Sequence, residues 1–130
     1  MVNDDFVTYE LAVKLKELGF DWKCLYWYHP NEDDKTKRFR MSTEMDHNFY
    51  KRGISAPTLS LAQKWLREIH HIDVDIDSVY HKLDTGDKIM YGLHIGNQKT
   101  FRQVFYQNYE TYEQALSEGL DVALELLKQK

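Results

Sequence analysis

Two stretches of two-residue alternation constrain this chain more than any other feature: Ile72-Asp73-Val74-Asp75-Ile76, and then Ile89, Tyr91, Leu93 and Ile95. Alternation of this kind puts the apolar side chains of an extended strand on one face and the polar ones on the other. Asp84-Thr85-Gly86-Asp87 between them is a turn, so the two stretches read as an antiparallel hairpin with one face that needs a cover. A two-residue loop at Thr85-Gly86 sets Ile76 across from Ile95 and Tyr80 across from Tyr91, which keeps both apolar sets together. Gly96-Asn97 then turns the chain into a third strand near Phe101 to Tyr106.

Three helical stripes supply the cover. Thr8 is placed to cap a first helix carrying Leu11, Ala12, Leu15 and Leu18, which Gly19 and Phe20 end in a Schellman stop. Thr58 to His71 forms the second helix, with Leu59, Ala62, Trp65, Leu66 and Ile69 on one side and Pro57 at its opening turn. In the third, Thr111 and Gln114 make a capping box ahead of Leu116, Leu120, Ala123, Leu124 and Leu127. Cys24 to Tyr28 reads as an aromatic strand and Arg38 to Met41 as its return, joined by a charged loop. Residues 43–54 show no period and read as loop. The expected architecture is one α+β domain over residues 1–130, in the order α-β-β-α-β-β-β-α. It has an antiparallel sheet of about five strands with helices on one face.

Composition narrows the function. The net charge of −4 argues against a general nucleic-acid binder, which needs a surplus of Lys and Arg to neutralise phosphate. The one cysteine, Cys24, has no partner for a disulfide or a zinc ribbon. The residues Met1 to Phe6 lack the basic start and apolar stretch of a signal peptide, and no apolar run reaches the ~20 residues of a membrane span. The expectation is a cytoplasmic protein without a cofactor.

Several patterns invite chemistry. Asp73-x-Asp75-x-Asp77 with Asp84 resembles the ligand spacing of a calcium loop, but Ser78 stands where the sharp turn needs glycine, and a strand spreads those carboxylates ~6.6 Å apart. No metal site is expected. The register above sets Asp77 opposite His94, an acid–base pair that lacks a nucleophile. Cys24 at the head of an aromatic strand reads as a small buried hydrophobe. The remaining signals suit binding. Lys35, Lys37, Arg38, Arg40, Lys51 and Arg52 interleave with Phe39, Phe49 and Tyr50, while Glu32, Asp33, Asp34, Glu44 and Asp46 nearly cancel their charge. Tyr26 and Tyr28 alternate against Leu25 and Trp27, so one set is core; the other is available to an interface unless a helix on the second face buries it too.

Leu15-Lys16-Glu17-Leu18-Gly19-Phe20-Asp21, then Ala56-Pro57 through Trp65-Leu66-Arg67-Glu68 to Ile72, then Tyr109-Glu110-Thr111-Tyr112-Glu113-Gln114-Ala115-Leu116 carry a likeness across most of the chain. They resemble a group of uncharacterised short proteins from Bacteroidetes genomes, often found among prophage or mobile-element genes. The resemblance implies a bacterial setting and a shared fold, with no catalytic residues to transfer. The functional expectation is a non-catalytic binding or accessory protein acting through Tyr26, Trp27, Tyr28, Arg38 and Arg40. Its partner would be a protein or a second copy of the chain. The alternatives are a small enzyme using Asp77 and His94, or a weak single-stranded nucleic-acid binder at the 35–52 hairpin.

Overall fold

The computed structural model describes residues 5–29, 38–49, 53–97 and 102–129. Contacts gather in two compact units, Met1–Trp65 and Leu66–Lys130. The elements run α1 (Tyr9–Glu17), β1 (Cys24–His29), β2 (Arg38–Met45), a 3-10 turn (His47–Phe49), β3 (Ile54–Ser55), α2 (Leu59–Ile69), β4 (Ile72–His81), β5 (Lys88–Asn97), β6 (Arg102–Tyr109) and α3 (Tyr112–Lys128). The chain is α+β, but its described strands form two three-stranded antiparallel sheets, ordered β2-β1-β3 and β4-β5-β6, and not one sheet of about five. Alternation reports which face of a strand is buried and is silent about which strand lies beside it. Sequence pattern alone therefore could not divide the strands between two sheets.

In the first unit, the Thr8 hydroxyl accepts from the Leu11 N–H at 3.2 Å and starts α1. Gly19 sits at φ +92°, with Gly19 N–H donating to Lys16 C=O and Phe20 N–H to Leu15 C=O. These are the two bonds of a Schellman stop. The segment 43–54 differs from the loop expected of it. β2 runs on to Met45, a 3-10 turn follows, and β3 adds a short strand beside β1, pairing Ser55 with Trp27 and Ile54 with Tyr28. A two-residue strand is too short to show a period. α1 packs on β3.

Helix α2 begins one residue later than expected. Thr58 is its cap, accepting from Leu61 N–H at 3.1 Å, and Pro57 stands just outside. Leu59, Ala62, Trp65 and Leu66 are buried as the stripe requires, whereas Ile69 is exposed.

In the second unit, β4, β5 and β6 form a meander and α3 packs on all three strands. Thr111 accepts from Gln114 N–H at 3.0 Å. Gln114 returns a bond to Glu110 N–H, one residue before the position that a capping box would fill. Leu116, Leu120, Ala123 and Leu124 are buried on the sheet side of α3. Burying side chains of this size stabilises by roughly 1.5–3 kcal/mol each for the leucines. Gly119 lets the helix lie flush, because a Cβ there would stand 2.5 Å from Leu93 Cδ1 and 2.6 Å from Val74 Cγ1.

The β4–β5 register departs from expectation by two residues. Val74 pairs with Ile95, Ile76 with Leu93 and Tyr80 with Ile89, because pairing ends at His81–Lys88 and residues 82–87 form a longer connection than Thr85-Gly86 alone. A shift of two keeps every side chain on its expected face, so the apolar set stayed correct while each expected partner changed.

Candidate functional site

The aromatic strand β1 divides its residues between two faces. Tyr26 stacks at a tilt on Phe6 with ring centroids 4.7 Å apart, and Tyr28 meets Tyr9 edge-on at 5.6 Å. The Tyr28 hydroxyl donates to Val7 C=O at 2.8 Å. Burial, helped by the nearby Glu10 carboxylate, pushes the Tyr28 phenol above its ordinary pKa. Trp27 belongs to the other face. Its ring lies nearly parallel to the His47 imidazole at 5.9 Å and 12°, and at a tilt to His29 at 5.5 Å.

His47 is the fixed floor of this cluster. It is only 4% exposed, and its Nε2 stands 3.0 Å from Cys24 C=O. A carbonyl can only accept, so Nε2 carries the proton in this bond. The turn around His47 is held by its neighbours' side chains. Asp46 Oδ1 accepts from Asn48 N–H at 3.0 Å. Asn48 then spans two backbone groups, donating from Nδ2 to Phe20 C=O and accepting at Oδ1 from Ser55 N–H, both at 2.8 Å. Lys16 Nζ donates to Gly53 C=O at 2.6 Å. Desolvation lowers the pKa of that ammonium, while the Asp46 carboxylate pulls it back upward. Gly53 is packed so closely that a Cβ would lie 2.5 Å from the His47 carbonyl oxygen.

Cys24 is 7% exposed and its thiol lies 3.4 Å from Tyr26 C=O. Burial pushes the thiol pKa up, and the adjacent Ser55 hydroxyl and backbone groups offset only part of this. The Ser55 hydroxyl is fully buried beside the thiol yet falls outside strict hydrogen-bond geometry. A thiol that burial keeps protonated, with its sulfur directed at the Tyr26 carbonyl, is not an activated nucleophile. Cys24 is a packing residue, as its position in the sequence implied.

The five residues expected to bind are therefore not on one surface. Tyr26 and Tyr28 are engaged with the N-terminal segment and α1 on one face, while Trp27 lies on the other. Arg40 pairs in register with Trp27, and Arg38 with His29. Lys35, Lys37, Tyr50, Lys51 and Arg52 of the expected basic hairpin fall outside the described residues. Phe49 is largely exposed.

The acid–base pair expected in the second unit does not form across the strands. Asp77 pairs with Gly92, and it is Asp75 that stands opposite His94. Asp75 and Asp77 are exposed and Asp73 is half-buried. Among the described residues, no group of three His, Cys, Asp or Glu side chains is arranged to hold a metal ion.

His47, Asn48, Gly53 and Ser55 are the residues that sequence reasoning missed. The available signal was Asp46-His47-Asn48 itself, a polar run whose aspartate can bond the backbone two residues on and fix a turn. In comparisons with family models, curated proteins and solved structures, the chain gave no significant match to any of the three.

Proposed function

We propose that this is a small non-catalytic binding protein whose contact surface is the Trp27 face of the β2-β1-β3 sheet. The observation that carries the reading is Trp27 itself. It is half-buried and lies parallel to an imidazole that is buried and tethered to the backbone. An aromatic ring held rigid in this way loses little side-chain entropy when a partner covers it, which is the property of a binding anchor. Arg40 and Arg38, in register with Trp27 and His29, give the same strands a cationic character. The partner is a protein whose contact segment carries acidic groups. Among the described residues, the two groups that invited chemistry are not set up for it: Asp77 pairs with Gly92 in place of His94, and burial holds the Cys24 thiol protonated.

The setting we assign is a bacterial cytoplasm with a prophage or mobile-element origin, and it rests on the sequence resemblance alone. The test is quantitative capture from bacterial lysate by the wild type and by Trp27→Ala, Arg38→Ala and Arg40→Ala. A partner enriched by the wild type and depleted by all three variants supports the surface. Capture unchanged by the three substitutions overturns it. Retention only of nucleic acid, lost with added salt, would replace the protein partner with a single strand.

A further inference from the structure

The inner face of the β4–β5 hairpin runs past the helix that covers it. Along that face the register pairs are Val74–Ile95, Ile76–Leu93, Ser78–Tyr91 and Tyr80–Ile89. Burial falls steadily in that order: Val74, Ile95 and Leu93 are buried, Ile76 and Tyr91 are half-buried, and Tyr80 and Ile89 are 62% and 53% exposed. The helix α3 starts at Tyr112, whose ring meets Tyr91 edge-on at 6.1 Å and is itself exposed. Beyond it the last pair, Tyr80–Ile89, is uncovered among the described residues, and Leu83 in the connection adds a further exposed apolar side chain. The Tyr80 hydroxyl donates to the Asp87 carboxylate, so its polar end is satisfied while its ring stays bare. Tyrosines and an isoleucine clustered in this way have the composition of an interface centre.

The rim of this strip points to its occupant. Lys82 and Lys88 stand among Asp84 and Asp87, all exposed, and Lys88 Nζ lies 3.6 Å from Glu110 Oε1. A partner selected by charge would call for a rim of one sign. A rim with both signs is complementary to itself under a two-fold axis, where each cation can meet the anion of the other copy. This local balance holds although the chain carries a net charge of −4. We infer that the Tyr80–Ile89 end of the β4–β5 hairpin is a homodimer interface, occupied by the same strip of a second copy. The strip is small, so the dimer is weak, with a dissociation constant on the order of 0.1 mM.

Sedimentation velocity over about 10 µM to about 1 mM tests this on the full chain. The wild type is expected to shift from monomer to dimer across that range. Ile89→Asp should raise the dissociation constant by at least about tenfold. A second variant, Lys82→Glu with Lys88→Glu, leaves the apolar strip intact but gives the rim one sign. It should lose the dimer at low salt and recover it as salt screens the repulsion. Circular dichroism checks that each variant is folded. A wild type that stays monomeric throughout overturns the proposal, even if the strip captures some other protein. So does a dimer that tolerates both variants, or one lost with Trp27→Ala and kept with Ile89→Asp.

Discussion

The two units stabilise a three-stranded sheet by different means. In the second, α3 lies on β4 and β5 through leucines, with Gly119 removing the one side chain that would hold the helix away. In the first, the turn between β2 and β3 is held by polar contacts. Asn48 joins Phe20 to Ser55, His47 joins its own turn to Cys24, and Lys16 holds Gly53. An apolar seam is tolerant, because neighbouring side chains can shift. A polar network that is partly buried, with His47 at its buried centre, is less so, because each lost partner leaves a group at least partly desolvated and unpaired.

Two glycines expose this difference most sharply, since an added Cβ would meet its nearest neighbour at 2.5 Å in both cases. At Gly53 that neighbour is the His47 carbonyl oxygen, which is backbone. Gly53→Ala should destabilise by about 3 kcal/mol in urea unfolding, near the upper end for overpacking. At Gly119 the neighbours are the tips of Leu93 and Val74. Gly119→Ala should cost about 1 kcal/mol or less, because the gain in helix propensity offsets part of the strain. Equal losses would mean that both seams are equally stiff, and the contrast would fail.

Asn48→Asp comes next in size. The carboxylate can still accept from Ser55 N–H but cannot donate to Phe20 C=O, so a loss of about 2 kcal/mol is expected. Amide hydrogen exchange should show the loss around β3, with α3 unchanged. Exchange that rises equally in both units would make them a single cooperative block.

The smallest effect is alkaline. Tyr28 and Cys24 both have raised pKa values in the folded state, so folding favours their protonated forms. Their contribution is complete below the ordinary values of 10.0 and 9.0 and declines as pH rises through that range toward the folded values. Lys16, lowered from 10.5, acts in the opposite sense. Tyr28→Phe should therefore flatten the fall in stability between about pH 8 and pH 11. An unchanged slope would remove Tyr28 from the balance.

The parts of the fold that could be read from sequence were those set by local chemistry. Thr8 and Thr111 cap helices by bonding an N–H one turn ahead, and Gly19 ends α1 because it accepts a positive φ. Each of these interactions lies within a few residues of its cause. The β4–β5 register was half legible: the pleat fixed the face of Ile76, but the length of the 82–87 connection fixed its partner. The His47 cluster was hidden for a different reason. Asn48 bonds Phe20 across 28 positions, and Lys16 bonds Gly53 across 37, so no window of sequence contains both ends. Trp27 was singled out with Tyr26 and Tyr28 from β-strand alternation, while the His47 ring it stacks on could not be read from the sequence.

The burial of Cys24 has a practical consequence. It is the chain's one cysteine, and both its low exposure and its raised pKa slow its reaction with maleimides and other thiol reagents. A cysteine introduced at exposed Phe49 or Leu83 would then be the preferred target for a fluorophore or a spin label. The native thiol could stay in place, so a single-site reporter needs no background in which Cys24 has been replaced.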